Sequence, residues 1–314
     1  MATHLKASFE EICNVSRIGG HGAVDFNPTG GLDNGLINLA LKEDLKHVDK
    51  DSCRRLLLCI DMQKDFIEGG SLPVDGSIAD TERINRFIYN NMGDITEIMC
   101  SMDTHSVYQI FFPAWWRDAN GNVPAPYTEI TYDDVKNGKW FPIFAPLKSK
   151  EYLQGLEANS KKKLCIWPYH CINGSDGHSF ENEFHKMVTF HAAARKTRPA
   201  IVRKGTDPCS EMYGIIKPEF SAINYKNAVT LNAIEEYDEI YVVGEAASHC
   251  LLESVRQIAE EYENRPEVTT KITVLEDCTS PIGGYEQLTK DTFDMFKKKY
   301  GIKFAKSTDI NFWY

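Results

Sequence analysis

The sequence predicts an α/β protein of three layers, α/β/α, with a central and mostly parallel sheet. Three observations predict it. From Arg54 onward, apolar runs of strand length alternate with amphipathic segments of helix length. Polar, chemically capable residues stand just after several of those runs. The composition is ordinary for a globular chain of 314 residues, 42% hydrophobic and 25% charged, so a large core can be buried. Such alternation builds β-α-β units whose right-handed crossovers cover both sheet faces with helices.

The elements follow in order. Leu56 to Ile60 is a buried-strand candidate. Asp80 to Asn91 is helical, with Ile84, Phe87 and Ile88 on one face. Ile98 to Met102 is a second strand, and Leu164 to Ile166 a short one. Ala200 to Arg203 follows Pro199 as another, and Glu239 to Val243 is the clearest. A helix from about His249 to Glu263 continues it. Ile272 to Leu275, a helix from Tyr285 to Lys299, and Ile302 to Ala305 complete the pattern.

Two regions break the rhythm. Residues 1–53 carry Gly19, Gly20, Gly22, Pro28, Gly30, Gly31 and Gly35 with little periodicity, and read as an N-terminal extension. It is expected to wrap the surface or a partner subunit, or to be a tail. The segment at about 106–163 is long, proline-rich and aromatic, with Trp115, Trp116 and Trp140 and the run Lys161-Lys162-Lys163. Long insertions are functional lids or interfaces, or embellishments with a small core of their own.

Charge and composition exclude several classes. With 35 basic against 45 acidic side chains the net charge is −10, which argues against a nucleic-acid partner. No segment is apolar enough to span a bilayer, and Met1 to Glu11 lacks the apolar core of a signal peptide. A cytoplasmic location is therefore expected. The nine cysteines are dispersed and contain no C-x-x-C pair, so a disulfide framework and a structural zinc site both read poorly. No Gly-x-Gly-x-x-Gly follows a strand, which sets a dinucleotide-binding fold aside.

Ligands of open parallel sheets bind at the carboxyl ends of the strands. Asp61, Asp103, His105, His170, Lys204 and Cys250 all follow predicted strands, and are expected on one edge of one sheet. Cys250 follows a turn of small residues and begins a helix, where free amide groups favour a thiolate and can hold an oxyanion. A thiol nucleophile needs a base that later returns the proton to the departing amine, and Asp61 suits that role. Lys204 would stabilise the carboxylate and developing negative charge. Asp103, His105 and His170 offer one carboxylate and two imidazoles, a set suited to Zn, Fe(II) or Mn(II). Taken singly, each also reads blandly: a packing thiol, a strand-end carboxylate, a solvated lysine, ordinary polar residues at a cleft.

Together these motifs resemble the isochorismatase-like cysteine hydrolases, and within them the nicotinamidase branch. The resemblance rests on Cys59-Ile60-Asp61-Met62-Gln63-Lys64-Asp65-Phe66, Met102-Asp103-Thr104-His105, Trp167-Pro168-Tyr169-His170-Cys171, Arg203-Lys204-Gly205-Thr206-Asp207 and Gly244 to Cys250, spread over roughly residues 54–306. It implies one hydrolase domain over 54–314 and a Cys250, Asp61, Lys204 triad. It implies an oxyanion hole from the amides of Ala246 and Cys250, a cis peptide between Glu245 and Ala246, and Phe66 and Trp167 flanking a flat aromatic substrate. The implied reaction is nicotinamide to nicotinate plus ammonia through a Cys250 thioester, in NAD salvage. A homo-oligomer is implied as well.

Two departures qualify this. Phe112 stands where the family supplies a further His. The metal site is then expected to hold Asp103, His105, His170 and water only, to bind weakly, or to be empty. The extension and the insertion are also extra. The alternatives are a metal-free amidohydrolase of ureido, carbamoyl or biuret-like substrates, or a non-catalytic binding protein. Isochorismate cleavage is disfavoured, because members that perform it lack the nucleophilic Cys.

Overall fold

The computed structural model describes residues 5–21, 35–160, 162–310 and 312. Gly22, Pro28, Gly30, Gly31 and Lys161 lie outside the described residues. Six strands form the central sheet: β1 (Arg55–Ile60), β2 (Glu97–Asp103), β3 (Ala200–Lys204), β4 (Glu239–Gly244), β5 (Ile272–Leu275) and β6 (Lys303–Ala305). Their spatial order is β6-β5-β4-β1-β2-β3, and every pairing is parallel. The strand order reverses between β1 and β4, so their carboxyl ends open the crevice where such sheets bind ligands.

Alternation along β1 shows why the sheet is covered on both sides. Leu57 and Cys59 enter one core cluster, and Leu56, Leu58 and Ile60 the other. Helices α1 (Ser77–Asn90) and α2 (Asn182–Arg195) pack on the first face through Ile84, Phe87, Phe184 and Phe190. Helices α3 (Ala228–Glu235), α4 (Cys250–Glu261) and α5 (Glu286–Tyr300) pack on the second through Leu231, Leu251, Val255 and Phe296. The three layers are those the sequence predicts.

The N-terminal segment packs on the first face. Phe9, Ile12, Leu36 and Ala40 join that core cluster. Glu43 accepts the amides of Lys6 and Ala7 at 2.8 Å each, tying the two described pieces together. The inserted segment has a third cluster of its own around Trp115, Trp116, Leu153 and Ile166. The indole nitrogens of both tryptophans are satisfied inside the segment, by Ser149 Oγ and Ile110 O.

One predicted strand sits elsewhere. Leu164–Cys165 is outside the central sheet and pairs antiparallel with Glu129–Ile130 of the insertion. His170 therefore arrives on a loop leaving the insertion, and not from a sheet strand as expected. A parallel bridge between His105 and Ile172 holds that loop against the end of β2. Among the described residues no helix is long and apolar enough to cross a membrane.

Candidate active site

The site is assembled at the carboxyl ends of β1, β2, β3 and β4. Asp61 follows β1 with a left-handed φ of 46°, which turns its carboxyl back over the sheet end. Asp103 and Lys204 are the last residues of β2 and β3 and are register partners. Cys250 opens α4 after the turn from Gly244. Asp61, Asp103, Lys204 and Cys250 are all buried, none more than 6% exposed.

Lys204 is the hub. Its Nζ lies 2.8 Å from Asp61 Oδ2, 3.0 Å from Asp103 Oδ1 and 3.7 Å from Cys250 Sγ. It also donates to Met212 O at 3.3 Å. Burial alone would discharge this lysine, but Asp103 and Asp61 overcome that and hold it well above the ordinary lysine range. Burial pushes the Asp61 carboxyl up, with Lys204 opposing. A carboxyl so placed can take and return a proton. Ser101 donates to Asp61 Oδ1 at 2.5 Å and steers the other oxygen toward Lys204.

The resting thiol departs from the expectation drawn from the helix end. Burial pushes Cys250 well above the usual thiol range, and Lys204 only partly offsets it. In this dry setting desolvation of a thiolate outweighs the attraction of the first helical turn. Cys250 rests as a thiol whose proton Asp61 can accept. The amides of Ala246 and Cys250 donate to no other protein group among the described residues, and the Glu245–Ala246 peptide is cis.

Asp103, His105 and His170 form a second cluster on the other side of Lys204. One ligand atom from each can be chosen so that all lie within 4.8 Å of one another. His105 Nδ1 bonds Gly205 O at 3.1 Å and His170 Nδ1 bonds Pro168 O at 2.8 Å. A carbonyl accepts only, so each Nδ1 carries the proton, and each Nε2 faces Asp103 Oδ2, at 3.1 and 3.9 Å. Burial opposes a charge on His105, but Asp103, against its Nε2, outweighs that and raises its pKa. Burial pushes His170 down to about 4, so it is neutral and its lone pair free. Carbonyls that accept from the far ring nitrogen in this way orient imidazoles for a cation, and the donor set fits Zn, Fe(II) or Mn(II). Gly205, at φ +70°, permits this packing; a Cβ there would strike the His105 ring and the Asp103 carboxylate.

Phe112 takes no part as a ligand. Its ring meets those of His105 and His170 edge-on, with centroids 5.7 and 5.4 Å away, and it is fully buried. The metal-ligating side chains the sequence offered are thus three, closed in by an apolar wall.

Both clusters border one narrow cleft of about 30 Å³ lined by Phe66, Trp167, His170, Glu211, His249 and Cys250, among others. Phe66 and Trp167 both line it. The sequence reading missed Ser101, Glu211, Tyr213 and His249. Ser101 was recoverable: it stands two residues before Asp103 on β2 and shares its face. Glu211 lies in a loop without periodicity. Its Oε2 accepts the Trp167 indole N–H at 3.1 Å, and burial pushes its carboxyl up to about 7.

No protein-family model matches the sequence, and no curated protein sequence does. Solved structures do match. An Acinetobacter baumanii nicotinamidase/pyrazinamidase aligns with TM-score 0.57 and 20% identity, over 83% of this chain and 99% of that one. The yeast nicotinamidase bound to the inhibitor nicotinaldehyde gives 0.57 and 21%, over 80% and 99%. PnC1 from L. infantum in complex with nicotinate gives 0.53 and 18%, over 82% and 95%. At these identities the shared property is the arrangement of the chain, and on that ground this protein has the isochorismatase-like hydrolase fold.

Proposed function

We propose that the protein is a cysteine amidohydrolase that converts a small aromatic primary amide, nicotinamide in the first instance, to the acid and ammonia. One observation carries the reading. A buried Cys250 thiol shares a cleft with two aromatic side chains, and against it stand a charged lysine 3.7 Å from the sulfur and, paired with that lysine, a carboxyl that can accept the thiol proton.

The steps follow from these residues. Asp61 takes the Cys250 proton as sulfur attacks the amide carbon. Lys204 stays charged throughout and holds Asp61 in place. The tetrahedral oxyanion forms against the Ala246 and Cys250 amides, each such donor contributing about 3 kcal/mol of barrier lowering. Asp61 passes its proton to the nitrogen, the C–N bond breaks, and ammonia leaves a thioester. Asp61 then takes a proton from water, which attacks the thioester carbon, and returns it to the departing sulfur. The acid is released and Cys250 is again a thiol. Phe66 and Trp167 flank the ring, each offset or edge contact adding about 1 kcal/mol. A divalent Zn, Fe or Mn ion held by Asp103, His105 and His170 would supply a Lewis acid at the ring side of the cleft.

Within this reading the partner is the amide alone, with no nucleic acid or membrane. The chain works in the cytoplasm, in NAD salvage, as a homo-oligomer. A second reading, hydrolysis of a ureido or carbamoyl compound, is favoured by Phe112 at the place of a further ligand and by Glu211 as a buried acceptor for substrate N–H groups. The deciding experiment is ammonia release from nicotinamide by purified protein, with and without added Zn, Fe(II) or Mn(II), beside Cys250→Ala. Release by wild type only is expected. Turnover by Cys250→Ala would overturn the nucleophile. Release from ureido compounds alone would favour the second reading.

A further inference from the structure

A second buried acid cluster lies behind the turn that carries the Ala246 amide. Glu245 precedes Ala246 and is fully buried, and Asp80, in the first turn of α1, is 1% exposed. Their side chains meet. Glu245 Oε2 accepts the Ser280 amide at 3.4 Å, while its Oε1 has no partner. Asp80 Oδ1 pairs with Arg83 at 2.5 Å, while its Oδ2 has no partner either. Two buried carboxyl groups thus face one another, each with an orphaned oxygen. That is the pattern left when a proton between two acceptors is not drawn.

Charge gives the same answer. Among the described residues Arg83 is the one cation paired at this cluster, and its Nε donates to Asp277 O. Among the groups that bear on these side chains are the Cys278 thiol, held up by burial, and the Ser280 backbone. One guanidinium balances one carboxylate. A second ionised carboxyl beside the first, away from water, meets both desolvation and like-charge repulsion. Arg83 and the first turn of α1 stand on the Asp80 side of the pair, so the shared proton sits nearer Glu245. Burial also holds the Glu245 carboxyl well above the ordinary range.

We propose that Glu245 and Asp80 share one proton in a carboxyl–carboxylate hydrogen bond, and that this bond fixes the turn presenting the Ala246 amide to the substrate oxygen. The second half rests on the amidohydrolase reading; the first does not. The bond ties α1 to the turn after β4. Ala247 N–H to Ser280 O at 2.9 Å ties the same turn to the segment after β5. Between these two anchors lies the amide that must meet the developing oxyanion. Both acids are positioning residues, since neither lines the cleft.

The test has two arms. The infrared difference between wild type and Glu245→Gln near neutral pH is expected to show a protonated-carboxyl C=O band that the variant lacks. Absence of that band overturns the shared proton whatever the enzyme does. In the second arm Cys250 is probed with iodoacetamide, which needs only the thiol, and with nicotinaldehyde, whose adduct with a thiol carries an oxyanion. Glu245→Leu is expected to weaken aldehyde binding and kcat about 100-fold, the scale of a misplacement near 1 Å, with iodoacetamide labelling unchanged. Glu245→Gln, which still donates to Asp80, is expected to recover most of both. Equal loss with iodoacetamide, or no loss of aldehyde binding, overturns the positioning role. A wild type that labels with iodoacetamide but neither binds the aldehyde nor hydrolyses nicotinamide counts against the amidohydrolase reading, and the infrared band then decides the acid pair by itself.

Discussion

The Lys204 ammonium lies 2.8 Å from the Asp61 carboxylate, and neither side chain is reached by solvent. A charge pair so placed costs desolvation on both sides and is held by mutual attraction, so removing one partner strands the other. Lys204→Met leaves Asp61 and Asp103 buried together without their common cation. It is expected to destabilise the fold by about 3–5 kcal/mol in denaturant unfolding and to abolish turnover. Asp61→Asn is close in shape but cannot accept the thiol proton, and kcat is expected to fall by about 10²–10⁴. A variant at Asp61 with full kcat would remove it from the role of base.

Metal binding gives a readout independent of turnover. Calorimetric titration with Zn, Fe(II) or Mn(II) is expected to show one site per chain in wild type and none in His105→Ala or His170→Ala. Gly205→Ala should also lose the site while keeping all three ligands, because the added methyl drives into His105 and Asp103. Unaltered binding in Gly205→Ala would show that the cradle is looser than its packing indicates.

The aromatic walls are expected to act on binding more than on chemistry. Trp167→Leu removes the ring but not the triad, and should raise KM roughly fivefold, the equivalent of about 1 kcal/mol, with kcat little changed. A fall in kcat with constant KM would mean that Trp167 acts on the transition state through its hydrogen bond to Glu211.

His191, 1% exposed, bonds Ile95 O at 3.0 Å, and burial pushes it down to about 4. With a folded value below the unfolded 6.5, it contributes stability above pH 6.5 that is lost as pH falls toward 4. The unfolded chain binds a proton there that the native chain refuses. His191→Gln is expected to remove up to about 3 kcal/mol of the stability change between those limits in denaturant titrations. Identical pH profiles for wild type and variant would refute the linkage.

Most of the sheet was legible because its strands are short apolar runs. Leu56 to Ile60 and Ile272 to Leu275 coincide with β1 and β5 to within one residue. Helix α2 was not legible. Its inward side carries Glu183, His191 and Arg195, each satisfied by a distant partner, and an apolar stripe does not survive such substitutions. The run at Leu164 misled because periodicity identifies a strand but not the sheet it joins. Its partner, Glu129–Ile130, lies inside the insertion. In the site, residue types and order pointed to side chains that the structure brings together. The protonation state of Cys250 did not follow from its helix position, because desolvation depends on packing that no local pattern records.

The separate core cluster of the insertion has a further consequence. Its chain leaves the sheet just after His105 and returns through Trp167 and His170, so the cation cradle is stitched across the mouth of a unit with its own cohesion. The Asp61–Cys250 half is built on the central sheet, at the ends of β1 and β4 with Ser101 of β2 and Lys204 of β3 behind it. The two halves can therefore differ in rigidity. Partial melting of residues 106–163 would unseat His170 and the Trp167 wall while Cys250, Asp61 and the Ala246 amide stayed in register. Ligand capture could then fail under heat or denaturant before the nucleophile does.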